Sequence, residues 1–410
     1  ILAKFSHSEW SSFRGADQQP WLPQSQNVFW SLFARVKSPK RSSFRDQRMD
    51  FDLGRREFVK FSLTALGGWS LSPLITGCSR NQAVAQPRNT KSIKLDSHPA
   101  IATPADGCYL GWHRDIGYRI SGENAYWLKE KSPQVEAQIL NIYKNKIGSL
   151  PAVHSIADDF LGSSYYPEGV LKAAVKMGVY PMMRYRPRAD WKAISQGHYD
   201  DHLQRFSQQV SQAALPAFFI PFPGLGHYGK NHPWKDWDPA YFIPAWERMF
   251  NIFEQQEANR YLVWGLHLTR TLSGSRKERP SYFVPSEKVD WVGISVWNQT
   301  INRSIPLMEL LGEDYNELTT LYRSKPFAIW ELGDRHRGTD WFYRYSSKWF
   351  ERTYEAIKTL PRCKLVVFYD YRSLDLGVEN QLFTKRNIAM MQTVRNQGYY
   401  VSGGKNAFQK

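Results

Sequence analysis

The sequence predicts an α/β protein whose fold is a closed (β/α)8 TIM barrel. Three observations lead there. Eight apolar runs of strand length recur between residues 108 and 369. Amphipathic stretches of helix length, or long connections, separate them. The first run continues into Gly-Trp-His-Arg-Asp-Ile-Gly, which is not the glycine fingerprint that opens a doubly wound open sheet, the main rival architecture.

Taken in order, the strands are expected at 108–112, 152–156, 180–185, 217–222, 261–267, 291–296, 327–331 and 365–369. Helices are expected between them. The stretch 132–148 opens on a serine suited to an N-cap and carries apolar residues at helical spacing. The stretch 167–178 ends in glycine. Longer helical stretches follow at 198–215 and 241–258, and 346–360 precedes the last strand. No internal repeat is present.

The region before the barrel reads differently. The first methionine is Met49, so residues 1–48 are expected to be an upstream or disordered extension. From Met49 the chain shows Arg55-Arg56, then Phe58 and Lys60, then a weakly apolar run to Gly77. This resembles a twin-arginine export signal over 49–77. Ile75-Thr76-Gly77-Cys78 resembles a lipoprotein cleavage box, with the Cys78 thiol acylated. The apolar run is too short for a membrane span. Residues 78–106 then read as the lipidated cysteine and a polar tether, 107–402 as the barrel, and 403–410 as a tail. An exported protein held at a membrane by a lipid on Cys78, periplasmic or at the cell surface, is the expected location.

Composition narrows the partners. The 410 residues carry a net charge of +16, with 16 Trp and 22 Tyr. Flat aromatic faces suit sugar rings, although most aromatics serve packing. The charge shows no basic stripe, zinc spacing or RNA-binding motif, so no nucleic-acid partner is expected. After Cys78 only Cys108 and Cys363 remain, which is no metal cluster, and no cofactor is implied. The two begin strands one and eight, so they should be close neighbours without being bonded.

In barrels of this kind the C-terminal strand ends face the active site. Those ends carry Trp112 and His113, Asp158 and Asp159, Arg184 and Arg186, His267, Trp297 and Asn298, Glu331, and Tyr369 with Asp370 and Tyr371. Glu331 closes an apolar strand, and a carboxylate buried there needs hydrogen bonds or an ion pair.

Four segments carry a family resemblance: YYPEGVLKAAVKMGVYPMMRYRP, ISQGHYDDHLQRFSQQV, HPWKDWDPAYFIPAWERMFNIFEQQEANRYLVWGLH and VDWVGISVWN. In order and spacing they resemble the barrel of glycoside hydrolase family 26, chiefly β-mannanases, over roughly 108–392. The resemblance implies that Glu331, in a strand-seven motif of the form K-P-x-x-x-x-E, is the catalytic nucleophile. It places the general acid/base at the end of strand four, in a motif of the form R-x-x-H-E-M-N-G. There this sequence has Ile220, Pro223, Gly224 and Gly226 at the arginine, histidine, glutamate and asparagine positions. Gly224 thus stands where the acid/base would be. His227, on the same loop, is the first substitute acid, followed by Asp370, His267 and Asp158. The glycines there do not read as a phosphate loop, because the next helix begins only after Trp237.

Position at or beyond the strand ends gives the saccharide-binding candidates Trp112, His113, Arg184, Arg186, Trp234, His267, Trp297, Asn298 and Tyr369; the resemblance adds that Trp297 and Trp234 match aromatic positions of the family. Arg184 and Arg186 depart from the family pattern and suggest an acidic polysaccharide or oligosaccharide; the alternative is that either pairs with Glu331 or Asp158. Retaining hydrolysis needs two carboxyl groups. One reading is therefore a carbohydrate-active enzyme with altered machinery. Another is a glycan-binding pseudo-hydrolase. A third, a structural envelope lipoprotein, predicts that Trp112, Trp234, Trp297 and Trp330 are buried in the core.

Overall fold

A computed structural model describes residues 94–114, 132–156, 166–187, 189–226, 237–270, 279–298, 305–334, 340–370 and 385–404. All of them fall in one compact unit, 85–410. The segments expected as extension and export signal, with Arg55, Arg56 and Cys78, lie outside the described residues. Among those described, no helix is long and apolar enough to cross a membrane.

Eight parallel strands form the barrel: β1 (Cys108–Arg114), β2 (Val153–Ile156), β3 (Tyr180–Tyr185), β4 (Ala217–Pro221), β5 (Leu262–Thr269), β6 (Trp291–Asn298), β7 (Phe327–Asp334) and β8 (Cys363–Asp370). Each pairs with the next, and β1 pairs with both β8 and β2, so the sheet closes. Helices follow: α1 (Pro133–Ile147) after β1, α2 (Glu168–Lys176) after β2, α3 (Trp191–Ser195) and α4 (Asp200–Ala213) after β3, and α5 (Phe242–Gln255) after β4. Short 3-10 turns follow β5, then α6 (Leu307–Leu321), α7 (Asp340–Ile357) and α8 (Lys385–Arg395) come after β6, β7 and β8. The closed barrel is the one predicted. The sequence reading lacked α3, α6 and α8, and a ninth strand, β9 (Tyr400–Val401), which runs beside the first two residues of β1.

Local chemistry sets the helix ends. Ser132 caps α1 by accepting from Val135 N at 3.2 Å, and Gly148 ends it at φ 89°, a left-handed turn that suits glycine. At the end of α6 the buried Arg362 guanidinium donates to the carbonyls of Thr319, Tyr322 and Lys325. It meets the orphan carbonyls that a helix C-terminus leaves.

Strand alternation divides the core into two layers. Outward residues such as Leu110, Met183, Phe219, Trp264 and Ile294 pack against the helices. Inward residues such as Val153, Met182, Phe218, Val263, Trp291 and Val367 fill the barrel. Burying each large apolar side chain contributes about 1.5–3 kcal/mol. Cys108 and Cys363 are both free and buried. Burial, together with the neighbouring Cys363, pushes the Cys108 thiol well up.

The polar tether expected over 78–106 meets the fold earlier than its composition suggests. Within 94–106, Ile101 is fully buried in the inner layer and Tyr109 Oη donates to Ala102 O at 2.8 Å. Lys325 pairs with Asp96 at 3.0 Å, and His98 Nε2 lies 3.0 Å from Asn259 O. One apolar anchor and a few local polar pairs are enough to hold a segment that lacks periodicity. Residues 403 and 404, expected in the tail, likewise donate to Leu150 O and Gly178 O, both at 2.9 Å.

One irregularity matters for everything above it. Between β6 and β7 the register slips: Ile294 pairs with Ile329, but Ser295 pairs with Glu331. The extra residue is Trp330, a β-bulge. Trp330 and Glu331 are therefore both turned inward. The Trp330 ring lies in the barrel, donating Nε1 to Leu266 O at 3.0 Å, in the space left by Gly265 and Gly293. A Cβ on Gly293 would collide with the Ala328 carbonyl and approach Trp330. In contrast, a Cβ on Gly312, within α6, meets nothing. In urea unfolding, Gly293→Ala should lose about 1–3 kcal/mol. Gly312→Ala should gain about 0.4–1 kcal/mol by restricting the unfolded chain.

Candidate active site

The inward positions at the C-terminal ends of the strands are His113 on β1, Ser155 on β2, Arg184 on β3, His267 on β5, Ser295 and Trp297 on β6, and Glu331 on β7, with Tyr369 on β8 beside them. Period-two spacing explains the pairs: Ser295 and Trp297 share a face, as do Gly111 and His113.

Glu331 is the centre of this group. It is 9% exposed. Arg184 Nη2 lies 2.6 Å from its Oε1. Ser295 Oγ donates to Oε2 at 2.9 Å, and Trp297 Nε1 donates to the same oxygen at 3.1 Å. Burial alone would raise its pKa, but Arg184, then His267, His113 and the Ser295 hydroxyl more than offset that. The carboxyl is held at about 2, so it is ionised throughout the neutral range. An ionised carboxylate only accepts, so the single Ser295 proton points at Glu331. The 2.6 Å contact between His267 Nε2 and Ser295 Oγ must then be donated by the histidine. His267, Ser295 and Glu331 form a directional chain of hydrogen bonds.

A second histidine stands on the other side. His113 is 2% exposed, with Nδ1 2.6 Å from Ser155 Oγ and its ring stacked on Tyr369 at 4.2 Å. Burial first, then Arg184, hold its pKa well below 6.5, with Glu331 opposing. Tyr369 in turn meets the Trp297 ring edge-on at 4.8 Å. Trp297 and Tyr369 are half-buried and leave ring surface at the mouth. Gly333 makes room for Trp297, since a Cβ there would strike the indole.

The structure sorts the expected saccharide-binding residues. His113, Arg184, His267, Trp297 and Tyr369 are brought together with Glu331. Arg186, half-buried just past β3, is close enough to affect His113. Trp112 does not belong there. Adjacent strand residues face opposite sides, so with His113 inward Trp112 points outward. It is 1% exposed, packed on Tyr143 at 4.6 Å and stacked on His154 at 5.2 Å beneath α1. Asn298, fully buried, alternates away from Trp297. Trp330 is core as well. Ser155 and Ser295 were missed; the signal was their inward phase one pair below the strand ends. His227, Trp234, Asp158, Asp159 and Tyr371 lie outside the described residues, as does the Asp370 side chain.

Gly224 sits at φ 82°, two residues after Phe222 at φ 53°. Both are left-handed, a conformation that side chains adopt at a cost. The chain then rejoins the sheet, with Leu225 N donating to His267 O at 3.1 Å and Thr269 N to Leu225 O at 2.7 Å. The next described elements are a 3-10 turn at Pro239–Tyr241 and α5 from Phe242, so among the described residues no long helix N-terminus adjoins the glycines in sequence.

No family model matches the chain, and no curated protein does. Solved structures do. The catalytic domain of the Bacillus sp. JAMB-750 GH26 endo-β-1,4-mannanase superimposes with a TM-score of 0.53 at 13% identity, covering 76% of this chain and 94% of that one. A Cellulomonas fimi endo-β-1,4-mannanase double mutant gives 0.51 at 14% identity, covering 74% of each chain. The likeness is one of fold: a closed eight-stranded parallel barrel with flanking helices, as in the GH26 mannanases.

The lowered pKa has a consequence for stability. A carboxyl whose folded pKa lies below its unfolded value of 4.5 stabilises fully above that value and loses the contribution as pH falls toward about 2. The shift is worth about 3 kcal/mol. Glu331→Gln should therefore be less stable than wild type at pH 6 in chemical denaturation, with the gap narrowing steadily between pH 5 and pH 2.

Proposed function

We propose that this protein is a carbohydrate-active barrel that takes a β-glycan or exopolysaccharide at its C-terminal mouth, with Glu331 as the nucleophile of a glycoside hydrolase-type reaction. The observation that carries the reading is the β-bulge at Trp330. It turns an ionised carboxylate into the mouth and surrounds it with Arg184, Ser295 and Trp297. An ionised carboxylate is the state a nucleophile needs. Oε1 accepts from Arg184 and keeps lone-pair capacity for attack on an anomeric carbon. Trp297 and Tyr369 offer ring faces beside it, which suits a pyranose. The fold likeness to GH26 mannanases supports a polysaccharide as partner; Arg184 is taken up by Glu331, so an acidic partner would rest on Arg186. Export through Arg55 and Arg56, with a lipid on Cys78, would place the mouth where extracellular or periplasmic glycans are met.

A second reading, a glycan-binding protein without turnover, draws on one specific feature. Gly224 and Phe222 both have left-handed backbones, so a glutamate at 224 would be strained. The strand-four end is shaped for glycine rather than for a carboxylic acid. Burial of Trp112 and Trp330 suits a purely structural protein, but the half-buried Trp297 and its bond to Glu331 do not.

Wild type and Glu331→Gln should be compared on activated aryl β-glycosides and on mannans, glucans and acidic exopolysaccharides. Turnover by wild type that falls to background in Glu331→Gln is the expected result. Equal signals from the two would overturn the enzymatic reading, and binding without product would establish the second one.

A further inference from the structure

We infer that His113, at the end of β1 and two strands along from Glu331 in the closed sheet, is the proton-handling group of this site, a general acid/base. The inference rests on Glu331 being the nucleophile. A chain of contacts joins the two. Glu331 accepts from Trp297, Trp297 meets Tyr369, and Tyr369 stacks on His113. Arg184, which pairs with Glu331, is also the strongest charged influence on His113. Nucleophile and imidazole are thus linked through two aromatic rings that suit a sugar.

The ring is also held for the task. Ser155 fixes Nδ1 and Tyr369 fixes the ring plane. Among the described residues Nε2 makes no hydrogen bond, although the residue is 98% buried. The other buried histidines stand elsewhere or are engaged. His267 gives its Nε2 proton to Ser295. His154 also has an Nε2 without a hydrogen-bond partner, but it lies on the outer face of the barrel, where its Nδ1 bonds Glu136, and His202 lies between Tyr185 and Tyr199 among the helices.

The chemistry balances. A Glu331 oxygen attacks the anomeric carbon while the bond to the leaving oxygen breaks, and the proton on His113 Nε2 passes to that oxygen. Water then attacks the same carbon as neutral His113 takes its proton. The glycosyl ester breaks and its electron pair returns to Glu331. The imidazole is again protonated, and the net reaction is glycoside plus water to free sugar and alcohol.

The groups around His113 set the working pH. They are Ser155 and His154 from β2, Arg184 and Arg186 from β3 and its end, Glu331 from β7 and Tyr369 from β8. Burial and the two arginines disfavour the imidazolium, which only Glu331 favours. The active free enzyme needs Glu331 ionised and His113 protonated. Hydrolysis of an unactivated oligosaccharide should therefore have an acidic optimum, with a basic limb below pH 6.5.

The test uses 2,4-dinitrophenyl β-D-mannoside and β-D-glucoside, whose leaving group needs no proton, beside unactivated mannan and glucan oligosaccharides. In His113→Gln the aryl donor should give a burst of one equivalent of dinitrophenolate, then turnover about 10²–10⁴-fold slower than wild type. Azide, which needs no base, should restore the rate and appear as glycosyl azide. Oligosaccharide hydrolysis should fall by a similar factor without rescue. His113→Asn serves as a second variant, and the burst itself reports a folded, nucleophile-competent protein. Undiminished turnover in both variants, or a wild-type basic limb at or above pH 6.5, would overturn the assignment while leaving Glu331 in place. A wild type that turns over no donor at all would overturn both.

Discussion

The site depends on one ion pair. Arg184 and Glu331 meet at 2.6 Å inside the barrel, above an apolar and aromatic inner layer. Neither charge is tolerable there alone. Removing one partner of a buried pair typically costs about 3–5 kcal/mol, because the other charge stays behind. The pair therefore dictates its surroundings. Ser295 and Trp297 take up the second carboxylate oxygen, and His267 supports Ser295.

The β-bulge is what makes this arrangement available. Regular alternation after Ile329 would turn Trp330 inward and Glu331 outward among the helices. One extra residue in β7 turns both to the same side. The cost is a large indole inside the barrel, accommodated by Gly293 on the adjacent β6 and Gly265 on β5, one strand further. Packing below the site and chemistry within it are thus two effects of one register shift.

Much of this was legible in the sequence, and the limits have physical causes. Closure into a barrel followed from eight apolar runs, because such runs bury both faces of a parallel sheet. Glu331 was legible as a carboxylate at a strand end, and Arg184 as its possible partner. Trp112 was misplaced because strand ends were read as residue pairs, when alternation lets only one of two neighbours face inward. The bulge left no local mark, since Ala-Ile-Trp-Glu-Leu reads as an ordinary buried strand. Ser155 and Ser295 were overlooked because a small hydroxyl gains its meaning only from what lies across the sheet. The anchoring of 94–106 was hidden for a similar reason: Ile101 is the one buried side chain of that stretch, and one buried side chain makes no pattern.

The central claim, an ionised carboxylate locked by Arg184 at the barrel mouth, is tested most directly by following the Glu331 carboxyl carbon through an acid titration. Carbon-13 NMR of glutamate-labelled protein, with the Glu331→Gln spectrum subtracted, isolates that signal. The account predicts a midpoint near 2. A midpoint at or above the ordinary 4.5 would contradict it, because no carboxylate paired with a buried guanidinium could hold its proton that long.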